Sequence, residues 1–185
     1  MRKIFILALM LVGMNSFAQE QATQNSGDLP QTQDQFSLNF LAPSVEYELA
    51  IGQRSSLDFL AGLYFGYEKW MDEDAEFGIY PFFQTQYRYY YNFDKRLEKG
   101  KNIQNNSGNY ISGVVLLDPG KPIIGDLEQS GGFSGVVGPA WGLQRVYGRH
   151  FKLNLNLGLG YGFDQDDSYL AGILGFQLGF KLGKQ

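Results

Sequence analysis

The chain has 185 residues, a formal net charge of −4 and a pI near 5.0, so its charge does not indicate binding to nucleic acid. It contains no cysteine, which excludes disulfides, thiolate nucleophiles and cysteine–metal sites. The mean hydropathy of −0.24 excludes a bundle of membrane-spanning helices, although 16% of the residues are aromatic. A membrane β-barrel fits these values, because every second residue of its strands faces a polar or small-residue interior.

The first 18 residues have the pattern of a secretory signal peptide. Arg2 and Lys3 provide a positive start, residues 4–12 form an apolar run, and residues 16–18 place small side chains where signal peptidase cleaves. The apolar run is far shorter than the ~20 residues that a membrane-spanning helix needs. We therefore expect export and cleavage after Ala18, with a short buried helix as the alternative.

Residues 19–35 are rich in Gln, Asn, Thr and Ser and contain one leucine, Leu29. A segment of this composition cannot bury enough apolar surface to offset the entropy lost on ordering. We expect a flexible periplasmic leader here, followed by a folded domain at residues 36–183.

From Phe36 onward, apolar and polar residues alternate with a period of two, which is the period of a β-strand and not of a helix. In the clearest segment, residues 151–163, every odd position is apolar and every even position is polar or glycine. The other predicted strands span about 55–69, 76–92, 109–118, 132–146 and 168–182.

Residues 36–51 change the phase of their alternation across Ala42-Pro43-Ser44. One bulged strand here would give seven strands in total, whereas a hairpin turning at Pro43 gives eight, with both termini periplasmic. Because bacterial single-chain barrels have even strand numbers, the sequence predicts eight. The expected fold is all-β: an antiparallel up-and-down transmembrane β-barrel of eight strands, preceded by the signal peptide and a disordered linker.

The strands of a soluble barrel such as a lipocalin would also alternate between apolar and polar residues. The composition of the two strand faces therefore decides between a soluble barrel and a membrane barrel. One face is nearly unbroken Leu, Phe and Tyr, whereas the other carries glycine and few charges. Eight large apolar faces turned inward would overfill a narrow barrel. Turned toward lipid they are accommodated, and the aromatic residues near strand ends suit interfacial girdles.

The connections between strands differ in length and charge. Residues 52–55 and 147–150 form tight turns, typical of the periplasmic side, while the acidic segments 70–76, 119–130 and 164–167 are typical of the outside. Residues 94–108 are then a long periplasmic connection.

Two stretches resemble a known group of proteins. The first is Leu41-Ala42-Pro43-Ser44-Val45-Glu46-Tyr47-Glu48, and the second is Arg88-Tyr89-Tyr90-Tyr91-Asn92-Phe93 followed by Lys95-Arg96, Lys99-Gly100-Lys101 and Asn106-Ser107-Gly108-Asn109-Tyr110. Residues 36–183 thereby resemble small outer-membrane β-barrel proteins of Bacteroidetes, of the uncharacterised type grouped as domains of unknown function. The resemblance implies a barrel and an outer-membrane address, and no substrate.

The barrel orientation places a polar network in the interior. Its expected members are Asn39, Glu46, Glu48, Asp58, Glu68, Gln84, Gln86, Arg88, Lys152, Asn154, Asn156, Gln177 and Lys181. Buried charges need partners of opposite sign, so we expect Arg88, Lys152 and Lys181 to neutralise the acidic residues.

No catalytic, cofactor-binding or metal-binding residue is predicted, and no cofactor. His150 lies in a predicted turn without a His-x-Ser motif, so we expect an exposed turn residue. Glu46 and Glu48 would lie ~7 Å apart on one strand face, yet nothing identifies a substrate near them. The acidic runs at 72–76 and 164–167 lack the spacing of a calcium loop and are expected to be solvated.

The expected function is that of a structural or interaction module of the cell envelope, located in the cell outer membrane and without catalytic activity. Its expected partners are outer-membrane lipid, lipopolysaccharide and an envelope protein, and the sequence does not determine the oligomeric state. A narrow porin-like channel for small solutes is the first alternative, although open channels usually have more strands. A lipid-modifying barrel enzyme is the second alternative, which the lone histidine disfavours.

Overall fold

The structure, a computed structural model, describes residues 31–69, 71, 75–127 and 132–182. The predicted signal peptide and residues 19–30 of the predicted leader lie outside these ranges. The described strands are β1 (Gln35–Asn39), β2 (Ser44–Ala50), β3 (Ser55–Glu68), β4 (Glu76–Tyr89), β5 (Asn109–Asp118), β6 (Ile124–Gly125), β7 (Ser134–Tyr147), β8 (Phe151–Phe163) and β9 (Ser168–Leu182). A helix, α1 (Phe93–Glu98), and a 3₁₀ turn (Gln104–Asn106) lie between β4 and β5.

The strands form one antiparallel sheet that closes on itself. The two-residue β6 pairs only with β4, so eight of the nine strands make up the ring, in the order β1-β2-β3-β4-β5-β7-β8-β9. Pairing of β1 with β9, for example Leu38 with Phe180, completes it. The predicted hairpin around Pro43 is confirmed by the pairing of Asn39 with Ser44, and the all-β antiparallel class and eight ring strands are confirmed with it.

The two ends of the ring differ. One end holds the start of β1, the end of β9, the short connections at 51–54 and 148–150 and the segment 90–108; we call it the terminal end. The opposite end, which we call the loop end, holds the turn at 40–43 and the connections after β3, β5 and β8.

The strands turn their polar faces inward and their apolar faces outward. On β8, Asn154 and Asn156 are fully buried, whereas Leu157 and Leu159 are exposed. On β9, Leu170 is 79% exposed and Leu174 is 78% exposed. This arrangement is the reverse of a soluble barrel, in which the large apolar side chains would fill the interior.

The interior has a polar half and an apolar half. Polar and charged side chains fill the half near the terminal end, while Val114, Ala140 and Ile173 pack together toward the loop end. In the polar half, the ring of Tyr110 lies over Gly142, where a Cβ would overlap it. A glycine is therefore needed at position 142 to leave room for that ring.

The segment predicted as a long connection at 94–108 folds into a cap over the terminal end. Phe93 and Ile103 pack with Tyr90 and Tyr110 in a buried apolar cluster. The 3₁₀ turn contains Asn105 with a φ of 53°, a left-handed conformation that places its carbonyl against the polar interior. None of the helices in the described ranges is long and apolar enough to cross a membrane.

Some residues that composition assigns to the leader form specific contacts with the folded domain. Gln35, expected to end the leader, already belongs to β1 and is buried, and its side chain donates a hydrogen bond to Glu48. Before it, the Thr32 hydroxyl donates to the Gly52 carbonyl at 2.5 Å, and the Gln33 amide donates to Asn106 Oδ1 at 2.7 Å. Composition does not reveal these contacts, because they depend on partners that are far away in sequence.

Candidate functional site

A cluster of buried charges occupies the polar half of the interior; we call it the charged cluster and define it as Glu46, Glu48, Asp58, Arg88 and Lys152. Within the charged cluster, the shortest ion pairs are Lys152 Nζ to Glu46 Oε1 at 2.6 Å and Arg88 Nη2 to Asp58 Oδ2 at 2.8 Å. Arg88 Nη1 also lies 3.5 Å from both Glu46 and Glu48. All five side chains are at most 1% exposed, so each charge depends on the others and not on solvent.

The strand register explains how these residues meet. Glu48 on β2 pairs with Asp58 on β3, and Asp58 in turn pairs with Gln86 on β4. Arg88 follows Gln86 on the same face, because alternate residues of a strand share one side. Lys152 enters from β8 on the opposite side of the ring, and its long side chain reaches Glu46.

Glu48 receives more hydrogen bonds than the other carboxylates of the cluster. Its Oε1 accepts from Ser56 at 2.5 Å and from the Tyr90 hydroxyl at 2.7 Å. Its Oε2 accepts from Gln35 at 2.8 Å and from Gln144 at 3.0 Å. Donors surround this buried carboxylate on several sides, which stabilises its charge.

Gln144 connects the two sides of the interior. Its Oε1 accepts from Asn154 at 3.0 Å and from Arg88 at 3.3 Å, while its Nε2 donates to Glu48. Asn154 also accepts from the Tyr110 hydroxyl at 2.8 Å, and the Arg88 guanidinium lies 4.9 Å from the centre of the Tyr110 ring. Side chains from strands on both sides of the ring thus form one network across its centre.

Apart from Lys181, the predicted interior residues that are buried fall into two groups. The five charged-cluster residues, Gln86 and Asn154 lie in the connected network; Gln86 accepts from Arg88 Nε at 3.3 Å. Gln84, Asn156 and Gln177 are buried too, but no hydrogen bond joins them to the charged cluster in the described ranges. Asn39 also lies in the connected network, because it is buried and donates to Glu46 at 3.1 Å.

Two of the sequence predictions are wrong in detail. Glu68 is exposed at the loop end of β3, in the part of the strand that extends beyond its pairing with β2. Lys181 is buried but forms no ion pair with a carboxylate among the described residues; its Nζ donates to Asn105 Oδ1 in the cap at 2.8 Å.

Sequence reasoning missed Tyr110 and Gln144 as interior residues. Tyrosine is common both in buried positions and at membrane interfaces, so the residue type does not indicate whether it lies on the inner or the outer face of a strand. Gln144 lies on a strand that contains Gly138, Pro139 and Gly142, and these residues obscure the alternation. The pairing of Gln144 with Asn154, a residue already expected inside, is the signal that locates it.

Outside the interior, the other candidate residues show no assembled site. His150 is exposed in the turn after β7, and its Nδ1 lies 3.2 Å from the Lys181 carbonyl oxygen. Hydrogen bonds from the amides of Asp167 and Asp166 hold the pKa of Asp164 below its usual range. In the described part of the chain, no group of three His, Cys, Asp or Glu residues is arranged to hold a metal ion.

Comparison with known proteins gives one match. No curated protein and no solved structure matches the chain. Residues 4–179 match the family described as "Protein of unknown function (DUF3575)", a range that reaches from the start of the chain into β9. The expected type, a domain of unknown function, is confirmed by this match, while the Bacteroidetes origin stays a prediction. Because the match covers most of the chain, the protein belongs to the DUF3575 family.

Proposed function

We propose that this protein is an outer-membrane β-barrel that acts as a structural or interaction module of the cell envelope, without catalytic activity. The observation that carries the proposal is the inverted distribution of side chains: buried ion pairs inside the ring and exposed leucine and aromatic side chains outside.

The outer surface supports a lipid environment. Soluble proteins rarely expose a continuous apolar surface larger than a few hundred Å². Here exposed large hydrophobic side chains occur on every strand of the ring, among them Phe59, Phe83 and Leu159. In the terminal half of the ring, the pairing of β1 with β2 and with β9 leaves no unpaired sheet edge, as lipid-exposed strands require.

The interior favours a closed module over the channel alternative. Glu48, Arg88 and Asn154 have no accessible surface, so a water-sized sphere does not reach them. Residues lining an aqueous channel would be accessible, and channels with open lumens usually have more strands. The cap at the terminal end adds a second closure.

The loop end offers a surface for an interaction. Ser44 of β2 pairs with Gly62, so residues 63–68 of β3 continue beyond β2 together with the start of β4. This projecting ribbon carries exposed Phe65 and Tyr67, and the short β6 pairs with it at Ile79. A hydrogen-bonded ribbon with exposed aromatic side chains suits contact with an envelope protein or lipopolysaccharide.

The lipid-modifying alternative has little support in the geometry. His150 is the single histidine, and its ring contacts a backbone carbonyl. No serine hydroxyl hydrogen-bonds to it in the described ranges, so a His–Ser pair is not assembled there.

A tagged pull-down from native outer membranes in mild detergent tests the proposal, with boiled and unboiled gel lanes alongside. We expect outer-membrane fractionation, a heat-shifted band and a co-purifying envelope partner. The double variant Phe65→Ser/Tyr67→Ser should lose the partner while keeping the heat shift, and Phe83→Ser is the matched control lower on the ring. Absence from the outer membrane, or steady ion conductance in planar bilayers, would contradict the proposal.

A further inference from the structure

An apolar groove runs along the outer surface of β4, β5 and β7. Gly113 and Pro139 pair across β5 and β7 and form a low floor, because neither projects a long side chain. Tyr87, Ile111 and Trp141 form the walls, and the groove encloses ≈580 Å³. An added Cβ at Gly113 would meet nothing within 4 Å, so no described part of the chain covers this floor.

A basic pocket of ≈340 Å³ lies next to this groove, at the terminal end of the ring. Its cations are Lys95, Arg96, Lys99, Lys101 and Arg145. The groove and the pocket are directly joined, since the Trp141 indole N–H in the groove wall donates to the Tyr91 hydroxyl in the pocket wall at 2.8 Å.

Among the described residues, the cations of this pocket lack an acidic partner. In the ranges that the structure describes, no carboxylate forms an ion pair with any of them, and the nearby Asp94 binds Arg54 instead. The two arginines are held in place by backbone oxygens. Arg145 Nη1 donates to the Gly108 carbonyl at 2.7 Å, and Arg96 Nη2 donates to the Asn102 carbonyl at 2.7 Å.

We propose that the pocket and the groove together bind one anionic phospholipid, with its phosphate among the cations and an acyl chain along the Gly113–Pro139 floor. The proposal rests on the proposed membrane location, which brings the terminal end level with the headgroups of one leaflet. A free phosphate would use the pocket but leave the apolar groove unexplained. A zwitterionic headgroup would bring its own positive charge toward uncompensated cations, so a lipid with net negative charge is favoured.

Two pairs of matched variants separate the headgroup site from the chain site. Lys99→Gln/Lys101→Gln removes two pocket charges, and Lys69→Gln/Lys121→Gln removes two exposed charges at the loop end. Gly113→Leu fills the groove, and Gly172→Leu adds the same side chain at another outward position where a Cβ meets nothing within 4 Å.

The test is native mass spectrometry of the purified barrel, titrated with phosphatidylglycerol, phosphatidylethanolamine or inorganic phosphate. We expect phosphatidylglycerol to bind more tightly than phosphatidylethanolamine. Lys99→Gln/Lys101→Gln should weaken phosphatidylglycerol binding by about tenfold or more. Gly113→Leu should weaken lipid binding while leaving phosphate binding unchanged, and both control variants should behave as the wild type.

Equal affinity for the two lipids, or unchanged binding in the lysine double variant, would overturn the proposal. An unaffected Gly113→Leu variant with full competition by inorganic phosphate would instead identify a free-anion site and would also overturn it. The heat shift and outer-membrane fractionation of the same preparations report separately on the proposed function. If both hold while lipid selectivity is absent, only the lipid site is wrong.

Discussion

Arg88 on β4 and Asp58 on β3 form a fully buried ion pair, with 2.8 Å between Nη2 and Oδ2. The same guanidinium approaches Glu46 and Glu48 and lies over the Tyr110 ring. One side chain therefore compensates carboxylates from two strands near the centre of the ring. Because removing one partner of a buried pair leaves the others uncompensated, Arg88 is the residue on which the interior depends most.

We expect Arg88→Met to destabilise the folded protein by about 3–5 kcal/mol, because three buried carboxylates lose a cation. Urea unfolding in detergent, followed by heat-shifted gel mobility, measures the effect. Arg54→Met is the matched control: its ion pair with Asp94 is partly exposed, and its loss should cost at most about 1 kcal/mol. Unchanged melting and gel mobility of Arg88→Met would refute the role given to this residue.

Gly142→Val should destabilise the fold by about 1–3 kcal/mol, because the new side chain overlaps the Tyr110 ring. In a Tyr110→Ala background, the same Gly142→Val change should cost less stability than in the wild type, since the ring that clashes is removed. Gly172→Val, on the outer face with open space around it, serves as the control in the same unfolding experiment. Equal stability of Gly142→Val and Gly172→Val would show that the Tyr110 packing is misplaced.

The left-handed backbone of Asn105, with a φ of 53°, gives a prediction about the cap. Asn105→Val and Asn105→Gly both lose the side-chain contact with Lys181, but only valine is strained at this φ. We expect the valine variant to be less stable than the glycine variant by about 1–3 kcal/mol. Thermal unfolding of the two proteins compares them directly, and a more stable valine variant would contradict the cap geometry.

The turn at 164–167 should respond to pH. Amide hydrogen bonds from Asp167 and Asp166 lower the pKa of Asp164 in the folded protein, so the carboxylate stabilises the turn. That contribution is present above the unfolded pKa of about 3.9 and is lost as the pH falls through the lower folded value. NMR titration should place the midpoint of the Asp164 carboxyl group below the unfolded value of about 3.9. The amide chemical shifts of residues 166 and 167 should change with the same midpoint. Persistence of that titration in Asp164→Asn would assign it to another group.

The strands and the order of the ring follow from the sequence because alternation is a local property. Alternation also predicts the face of each residue, and Asp58 and Lys152 lie inside as their phase requires. It does not predict height along the ring. Glu68 has the same phase as Asp58, yet it is exposed, because β3 continues past the last residue of β2 that pairs with it.

The cap and the full network could not be predicted from the sequence, because both depend on long-range contacts. The six-residue α1 is too short to show a helical period, and Asn105 adopts its left-handed conformation among partners from three distant segments. Tyr110 and Gln144 belong to the interior because their neighbours do. The alternation of polar and apolar residues identifies the other interior residues of a strand. Only the pairing register between strands shows which of them contact Tyr110 and Gln144.

Photo-cross-linking in outer-membrane vesicles tests the central claim most directly, with a diazirine on the acyl chain of a phospholipid and mass spectrometry to locate the labels. We predict labels on outward residues such as Leu157, Leu159, Leu170 and Leu174, and none on Asn154 or Asn156. Labels on Asn154 or Asn156, or an absence of label from β8 and β9, would contradict a membrane barrel with a buried ionic interior.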